Sequence, residues 1–225
     1  MSTYLLFGGS RGLGRSFRDL VLEQTDAKVA VVSRTYLKQA PAGDDRSAYI
    51  GGDLSQTETW EQIAESVEKH DPTYIIYFAA GGPWGEYGRH EWKDHLWAFQ
   101  VSFMAPAFFL HRKLMIPGKL KKFIAVGSAV AEAEPDPNAA SYAAAKHALK
   151  GLISSVQAEN PPFDVRLFSP GYMDTPLLSK NAWPRHSAKL LNPNLVAQAL
   201  FKWTHDPNHC NSHMVLQDSN SPLLS

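Results

Sequence analysis

Apolar residues in this chain come in short unbroken runs, separated by longer stretches in which they recur every three or four positions. Tyr4-Leu5-Leu6-Phe7, stopped by Gly8-Gly9, reads as a buried strand. Beyond Gly12, the residues Leu13, Phe17, Leu20 and Val21 keep helical spacing, and Val29-Ala30-Val31-Val32 makes a second strand. Strand, glycine turn, helix and strand within about thirty residues form one βαβ unit. A third strand is predicted at Ala48-Tyr49-Ile50. Ser55, with Glu58 three positions on, is expected to cap a helix that turns Trp60, Ile63, Ala64 and Val67 inward and stops before Asp71-Pro72. The run from Tyr74 to Ala79 is continuous rather than alternating, as a parallel strand covered on both faces should be. A loop at Gly81-Gly82-Pro83-Trp84-Gly85 precedes a long helical stretch, about Trp92 to Met115, with a kink expected at Pro106. Phe123-Ile124-Ala125-Val126 and Val165-Arg166-Leu167-Phe168 are two further strands, flanking a helix that holds Tyr142 and Lys146. A helix near Leu195 to Trp203 and a strand at Met214-Val215-Leu216 complete the pattern.

This alternation predicts an α/β fold: a single Rossmann-type domain over residues 1–225, with a doubly wound parallel sheet of about seven strands and helices on both faces. No repeat, low-complexity tract or linker interrupts it. Ligands of such sheets bind beyond the carboxyl ends of the strands. The glycine loop, Ala79-Ala80-Gly81, Ser128 and Pro170-Gly171 all follow strands directly, so they are predicted to meet in one cleft.

Composition narrows the partners. The 22 basic and 22 acidic side chains cancel, which leaves no electrostatic case for nucleic acid or an acidic membrane. A single cysteine, Cys210, excludes an internal disulfide framework and fits a reducing compartment. The chain enters its first strand without a charged leader, and no apolar run approaches the ~20 residues that span a bilayer. A cytoplasmic location is the expectation.

Two motifs carry chemistry. Gly8, Gly12 and Gly14 sit between the first strand and first helix, where glycine lets backbone amides approach a pyrophosphate. The same stretch, Gly8-Gly9-Ser10-Arg11-Gly12, also matches the G-x-S-x-G elbow of hydrolases. That elbow needs an earlier strand and loop to complete its oxyanion hole, and only seven residues precede Gly8. The second motif is Ser141-Tyr142-Ala143-Ala144-Ala145-Lys146, whose phenol and amine share one helix face. An ammonium close to the phenol is expected to lower its pKa and suit it to proton exchange with a substrate oxygen.

With these residues in order, the chain resembles the short-chain dehydrogenase/reductase family over nearly its whole length. Gly8, Gly12 and Gly14 resemble its T-G-x-x-x-G-x-G loop, Asp53-Leu54 its adenine contact, and Ala79-Ala80-Gly81 its N-A-G segment. Ser128 resembles its catalytic serine, Tyr142-x-x-x-Lys146 its active-site motif, and Pro170-Gly171-Tyr172-Met173-Asp174-Thr175 its segment beside the nicotinamide. The resemblance implies an oxidoreductase acting on a small carbonyl/alcohol substrate. In it Tyr142 is the acid or base, Lys146 holds the nicotinamide ribose and lowers the phenol pKa, and Ser128 binds the substrate oxygen. Gly8, Ser10, Arg11, Gly12, Leu13, Gly14, Arg34, Asp53, Leu54, Ala79, Ala80, Gly81, Tyr142, Lys146, Pro170, Gly171, Met173 and Thr175 are the expected cofactor contacts. Relatives specific for NAD(H) place an acid after the second strand, but Ser33-Arg34 stands there, with Arg11 in the glycine loop. Two guanidiniums suit a 2′-phosphate, so NADP(H) is expected over NAD(H).

The chain also departs from the pattern. Phe7 replaces a threonine and Phe78 the asparagine of N-A-G, so two structural hydrogen bonds must be made otherwise. Ser102 stands where many relatives carry a catalytic asparagine, and it either holds a water or weakens the proton path behind Lys146. The step from Ser128 to Tyr142 is one residue longer than is usual in the family, which predicts a bulge at 132–138. These departures keep a second reading open: an NADP(H)-binding regulatory or weakly active protein. His205, His209, Cys210 and His213 form the densest set of potential ligands, but they fall around an Asp206-Pro207-Asn208 turn without a matching pair, and no metal is expected. Trp84 and Tyr87 are expected in the cleft, Trp92 and Trp97 in the core or a subunit interface, and residues 180–186 in a short substrate lid. Apolar Phe99, Phe103, Phe108 and Phe109 on one long helix suggest, by the same resemblance, a homodimer or homotetramer.

Overall fold

The computed structural model describes residues 1–34, 45–132, 136–187, 189–206 and 211–217. Seven strands form one parallel sheet in the order β3-β2-β1-β4-β5-β6-β7: β1 Thr3–Phe7, β2 Lys28–Ser33, β3 Ser47–Gly51, β4 Tyr74–Tyr77, β5 Lys122–Val126, β6 Asp164–Pro170 and β7 His213–Leu216. Helices α1 Gly12–Gln24, α2 Trp60–Glu68, α3 Trp92–Phe99, α4 Ala105–Met115, α5 Ala140–Ala158, α6 Pro184–Ser187 and α7 Pro193–His205 link or flank them.

Successive side chains of a strand point to opposite faces, and here both faces are covered. Leu5 and Phe7 of β1 join Ile75 and Tyr77 of β4 beneath α2, α4 and α5. Tyr4 and Leu6 pack on the other side with Phe17 and Val21 of α1 and Leu200 and Trp203 of α7. The strand order reverses direction between β1 and β4, and at such a switch point the loops above the strands diverge to leave a crevice.

Two expected local features differ. Ser55 does not cap α2: its amide and hydroxyl both donate to Asp53 Oδ1, at 3.0 and 2.8 Å. That local turn wins over the capping box, and a 3₁₀ turn at Thr57–Thr59 leads into the helix instead. The long helical stretch is not simply kinked at Pro106. One π-helical turn, Gln100–Met104, separates α3 from α4, and Pro106, which has no N–H to donate, follows it as the second residue of α4. Among the described residues, no helix is long and apolar enough to cross a membrane.

Candidate active site

Gly8 leaves β1 at φ +88, with its amide donating to the Val32 carbonyl at 2.9 Å. A Cβ on Gly8 would stand 2.8 Å from the Ala79 nitrogen, and one on Gly14 only 2.4 Å from the Gly8 carbonyl oxygen. The loop thus closes onto the end of β4 as no other residue would allow. Phe7 ties β1 to the chain that follows β4. Its carbonyl accepts from Phe78 N at 2.8 Å and Ala79 N at 2.9 Å, while its ring packs 4.4 Å from Phe109. The first turn of α1 has neither a side-chain cap nor an acidic residue, so its amides and positive dipole end suit an anion. Arg11 and Arg34 line this end of the cleft, and among the described residues neither pairs with a carboxylate. Asp53 and Leu54 line it too, the Asp53 carboxylate held by Ser55.

At the far end stand Ser128, Tyr142 and Lys146. Ser128 begins a 3₁₀ turn after β5, its Oγ accepting from Val130 N at 3.4 Å. Tyr142, in the first turn of α5, lies beside Ser128. Burial pushes the phenol pKa up, and the neighbouring Ser128 pulls it only part of the way back. This corrects the expectation that Lys146 lowers it. The ammonium lies 5.7 Å from the Tyr142 ring centroid and donates to the Val126 carbonyl at 2.7 Å. Lys146 is 1% exposed, and loss of hydration pushes its own pKa down to about 7. Lys146 is not among the groups that shift the phenol.

The cleft walls gather Gly8, Ser10, Arg11, Gly12, Leu13, Gly14, Arg34, Asp53, Leu54, Ala79, Ala80, Ser128, Tyr142, Lys146, Pro170, Gly171, Met173 and Thr175. Two expected residues stand behind them. Gly81 packs under Trp97, whose indole a Cβ there would meet at 2.3 Å. Ser102 is fully buried in the π-helical turn, donating to Gly81 O at 2.9 Å and accepting from Gly81 N at 3.1 Å. With Tyr77, whose hydroxyl donates to Val101 O at 2.9 Å, it ties that turn to the β4 loop. Ser102 is thus occupied by backbone and holds the loop rather than facing the cleft.

The aromatic assignments are redistributed. Trp97 lines the cleft with Trp84, whereas Tyr87 is exposed, its ring tilted against His95 at 4.3 Å, and Trp92 is 66% exposed. His205 meets the Tyr4 hydroxyl and His213 meets Glu132, on separate elements. His209 and Cys210 lie outside the described residues, as does the middle of the expected 132–138 bulge.

Sequence reasoning missed a polar cluster on the substrate side. Asp136 lines the cleft, buried, and its Oδ2 accepts from Tyr172 Oη at 2.5 Å while Oδ1 accepts from Trp183 Nε1 at 2.8 Å. Its signal was a lone acid between two prolines, Pro135-Asp136-Pro137, in the loop between Ser128 and Tyr142. Also missed was buried His95, whose Nδ1 lies 2.6 Å from Ser141 Oγ beside Tyr142.

Comparison with known proteins bears on the family and the fold. Residues 2–185 match the short chain dehydrogenase family. A 3-ketodihydrosphingosine reductase of Yarrowia lipolytica is 26% identical over 184 residues, 72% of this chain. The chain spans about half of that relative's length, 49%. Among solved structures, a 4-hydroxyisoleucine dehydrogenase complexed with NADH superposes at TM-score 0.82 and 18% identity, covering 96% of this chain and 97% of that one. An alcohol dehydrogenase of the archaeon Thermococcus sibiricus, complexed with 5-hydroxy-NADP, superposes at 0.77 and 19% identity, covering 97% of each. At these identities the structural neighbours speak for the fold; joined to the family match over most of the chain, they make this protein a member of the short-chain dehydrogenase/reductase family of oxidoreductases.

Proposed function

We propose that the protein is an NADP(H)-dependent oxidoreductase interconverting a carbonyl and an alcohol, with Tyr142 as its proton-transferring group. The observation that carries this reading is one cleft with Ser128, Tyr142 and Lys146 at one end and the glycine loop with Arg11 and Arg34 at the other. The residues fit a dinucleotide: the uncapped first turn of α1 suits the pyrophosphate, and the two arginines suit a 2′-phosphate. The named neighbours divide between NADH and an NADP derivative, so the preference for NADP(H) rests on Arg11 and Arg34.

When bound, the nicotinamide supplies or accepts the hydride. Ser128 and Tyr142 hold the substrate oxygen between their hydroxyls, and Tyr142 passes its proton to that oxygen as charge develops there. The curated relative is itself named a reductase, which is the direction in which Tyr142 gives up its proton. Lys146, 5.7 Å from the Tyr142 ring centroid, would hold the ribose hydroxyls. Exposed Trp92, Leu96 and Met104 on α3 and the π-helical turn support assembly into a homodimer or homotetramer, which light scattering would refute by returning a monomer mass.

The test is a panel of aldehydes and ketones followed by absorbance with NADPH and with NADH. The reading predicts turnover, with NADPH preferred by about tenfold or more in kcat/KM. One observation favours a second reading, a cofactor-binding protein with slow chemistry: Ser102 leaves no free side chain for a proton path. Tight NADPH binding without turnover across the panel would favour it.

A further inference from the structure

Asp136 is a buried carboxylate whose only partners among the described residues are neutral. It is 8% exposed, and it accepts one hydrogen bond from a phenol and one from an indole. A carboxylate has about four acceptor sites, so roughly two remain open. Such a charge is unfavourable to remove from water unless a cation compensates. Two basic side chains of the surrounding segments are engaged elsewhere, Lys150 with Glu132 and Arg185 with Asp174. The neighbouring walls are apolar, with Trp84, Val130, Ala139 and Leu177. Tyr172 and Trp183 stand 5.5 Å apart at 75° to each other beside the carboxylate, and aromatic faces also attract cations. The cleft is therefore polarised: guanidiniums stand at the nucleotide end, and at the substrate end a carboxylate without a cationic partner among the described residues.

We infer that Asp136 is a specificity residue and that the substrate carries a protonated amine, which the Asp136 carboxylate receives beside Tyr172 and Trp183. The inference rests on the oxidoreductase reading above and names its substrate class. A neutral hydroxyl would gain a hydrogen bond here but no charge compensation, and a carboxylate substrate would be repelled. If Asp136 served only to tie Tyr172 and Trp183 together, an amide oxygen would serve nearly as well, and the substitution below separates the two roles.

The test compares 4-(dimethylamino)cyclohexanone with 4-isopropylcyclohexanone, which has the same shape without the charge, and likewise the 3-substituted pair. Each is assayed with NADPH on the wild-type protein and on Asp136→Asn. The wild type is expected to favour the cationic ketone of at least one pair by about tenfold or more, chiefly through KM, and Asp136→Asn to bring that ratio near one. No preference in the wild type, or a ratio the variant leaves intact while both rates fall, would overturn the inference. If no ketone is turned over, the redox reading fails separately. Calorimetric titration of 4-(dimethylamino)cyclohexanol into the NADP-loaded protein then decides: binding lost in Asp136→Asn upholds the amine site, and equal or absent binding in the two proteins removes it.

Discussion

The nucleotide end of the cleft is built from backbone, whereas the substrate end is built from side chains delivered by distant segments. At the first, Gly8 and Gly14 bring main-chain atoms so close that a methyl group would collide with a carbonyl or an amide. At the second, Asp136, Tyr172 and Trp183 come from the loop after β5, the end of β6 and the approach to α6, and they hold one another by two hydrogen bonds. Backbone sites accept a ligand that varies little, such as a pyrophosphate. Side-chain sites can be recast residue by residue, and that is where substrate choice belongs.

The largest effect should follow from breaking the backbone end. Gly14→Ala forces its Cβ to within 2.4 Å of the Gly8 oxygen, so the loop must open. A stability loss of roughly 2–4 kcal/mol and undetectable NADPH binding are expected, read by thermal melts and calorimetry. Next in size is the charge at that end. Arg34→Ala should weaken NADPH by about ten- to a hundredfold, the value of one or two charge-assisted hydrogen bonds, while changing NADH little. A parallel loss of both coenzymes would mean that Arg34 shapes the loop and reads no phosphate.

The third effect concerns Lys146 and is spread over a range of pH. Its pKa is pushed down to about 7 in the folded protein from an ordinary value of 10.5. Between these pH values the unfolded chain binds more protons than the folded one, so stability from this group rises with pH and its burial cost is fully present below about 7. Relative to Lys146→Met, the cofactor-free wild type should gain up to roughly 1.4 kcal/mol per pH unit across that window. Chemical denaturation of both proteins at several pH values checks it, and a constant difference would show that the amine is not desolvated.

The contrast between the two ends also explains what could be read from sequence. Gly8, Gly12 and Gly14 were legible because the loop is local: a strand, a turn and a helix in succession dictate it. Tyr142 and Lys146 were legible because helix geometry places residues four apart on one face. What Lys146 does there was not, since its loss of hydration depends on β5 and on Tyr142 around it, and neither burial is written into the motif. Ser102 illustrates the same limit. Its position matched a catalytic residue, yet its partner, the Gly81 backbone, is set by a π-helical turn that hydrophobic spacing does not encode. Asp136 escaped notice because its meaning lies in two donors found 36 and 47 residues further on.

The central claim is that Tyr142 transfers the proton in a cleft that binds NADPH through other groups. Tyr142→Phe keeps the ring and removes the hydroxyl. Turnover of the best carbonyl found is predicted to fall by about 10²- to 10⁴-fold, while the calorimetric affinity for NADPH stays within a few-fold of wild type. Unchanged turnover in a folded, NADPH-binding Tyr142→Phe protein would contradict it.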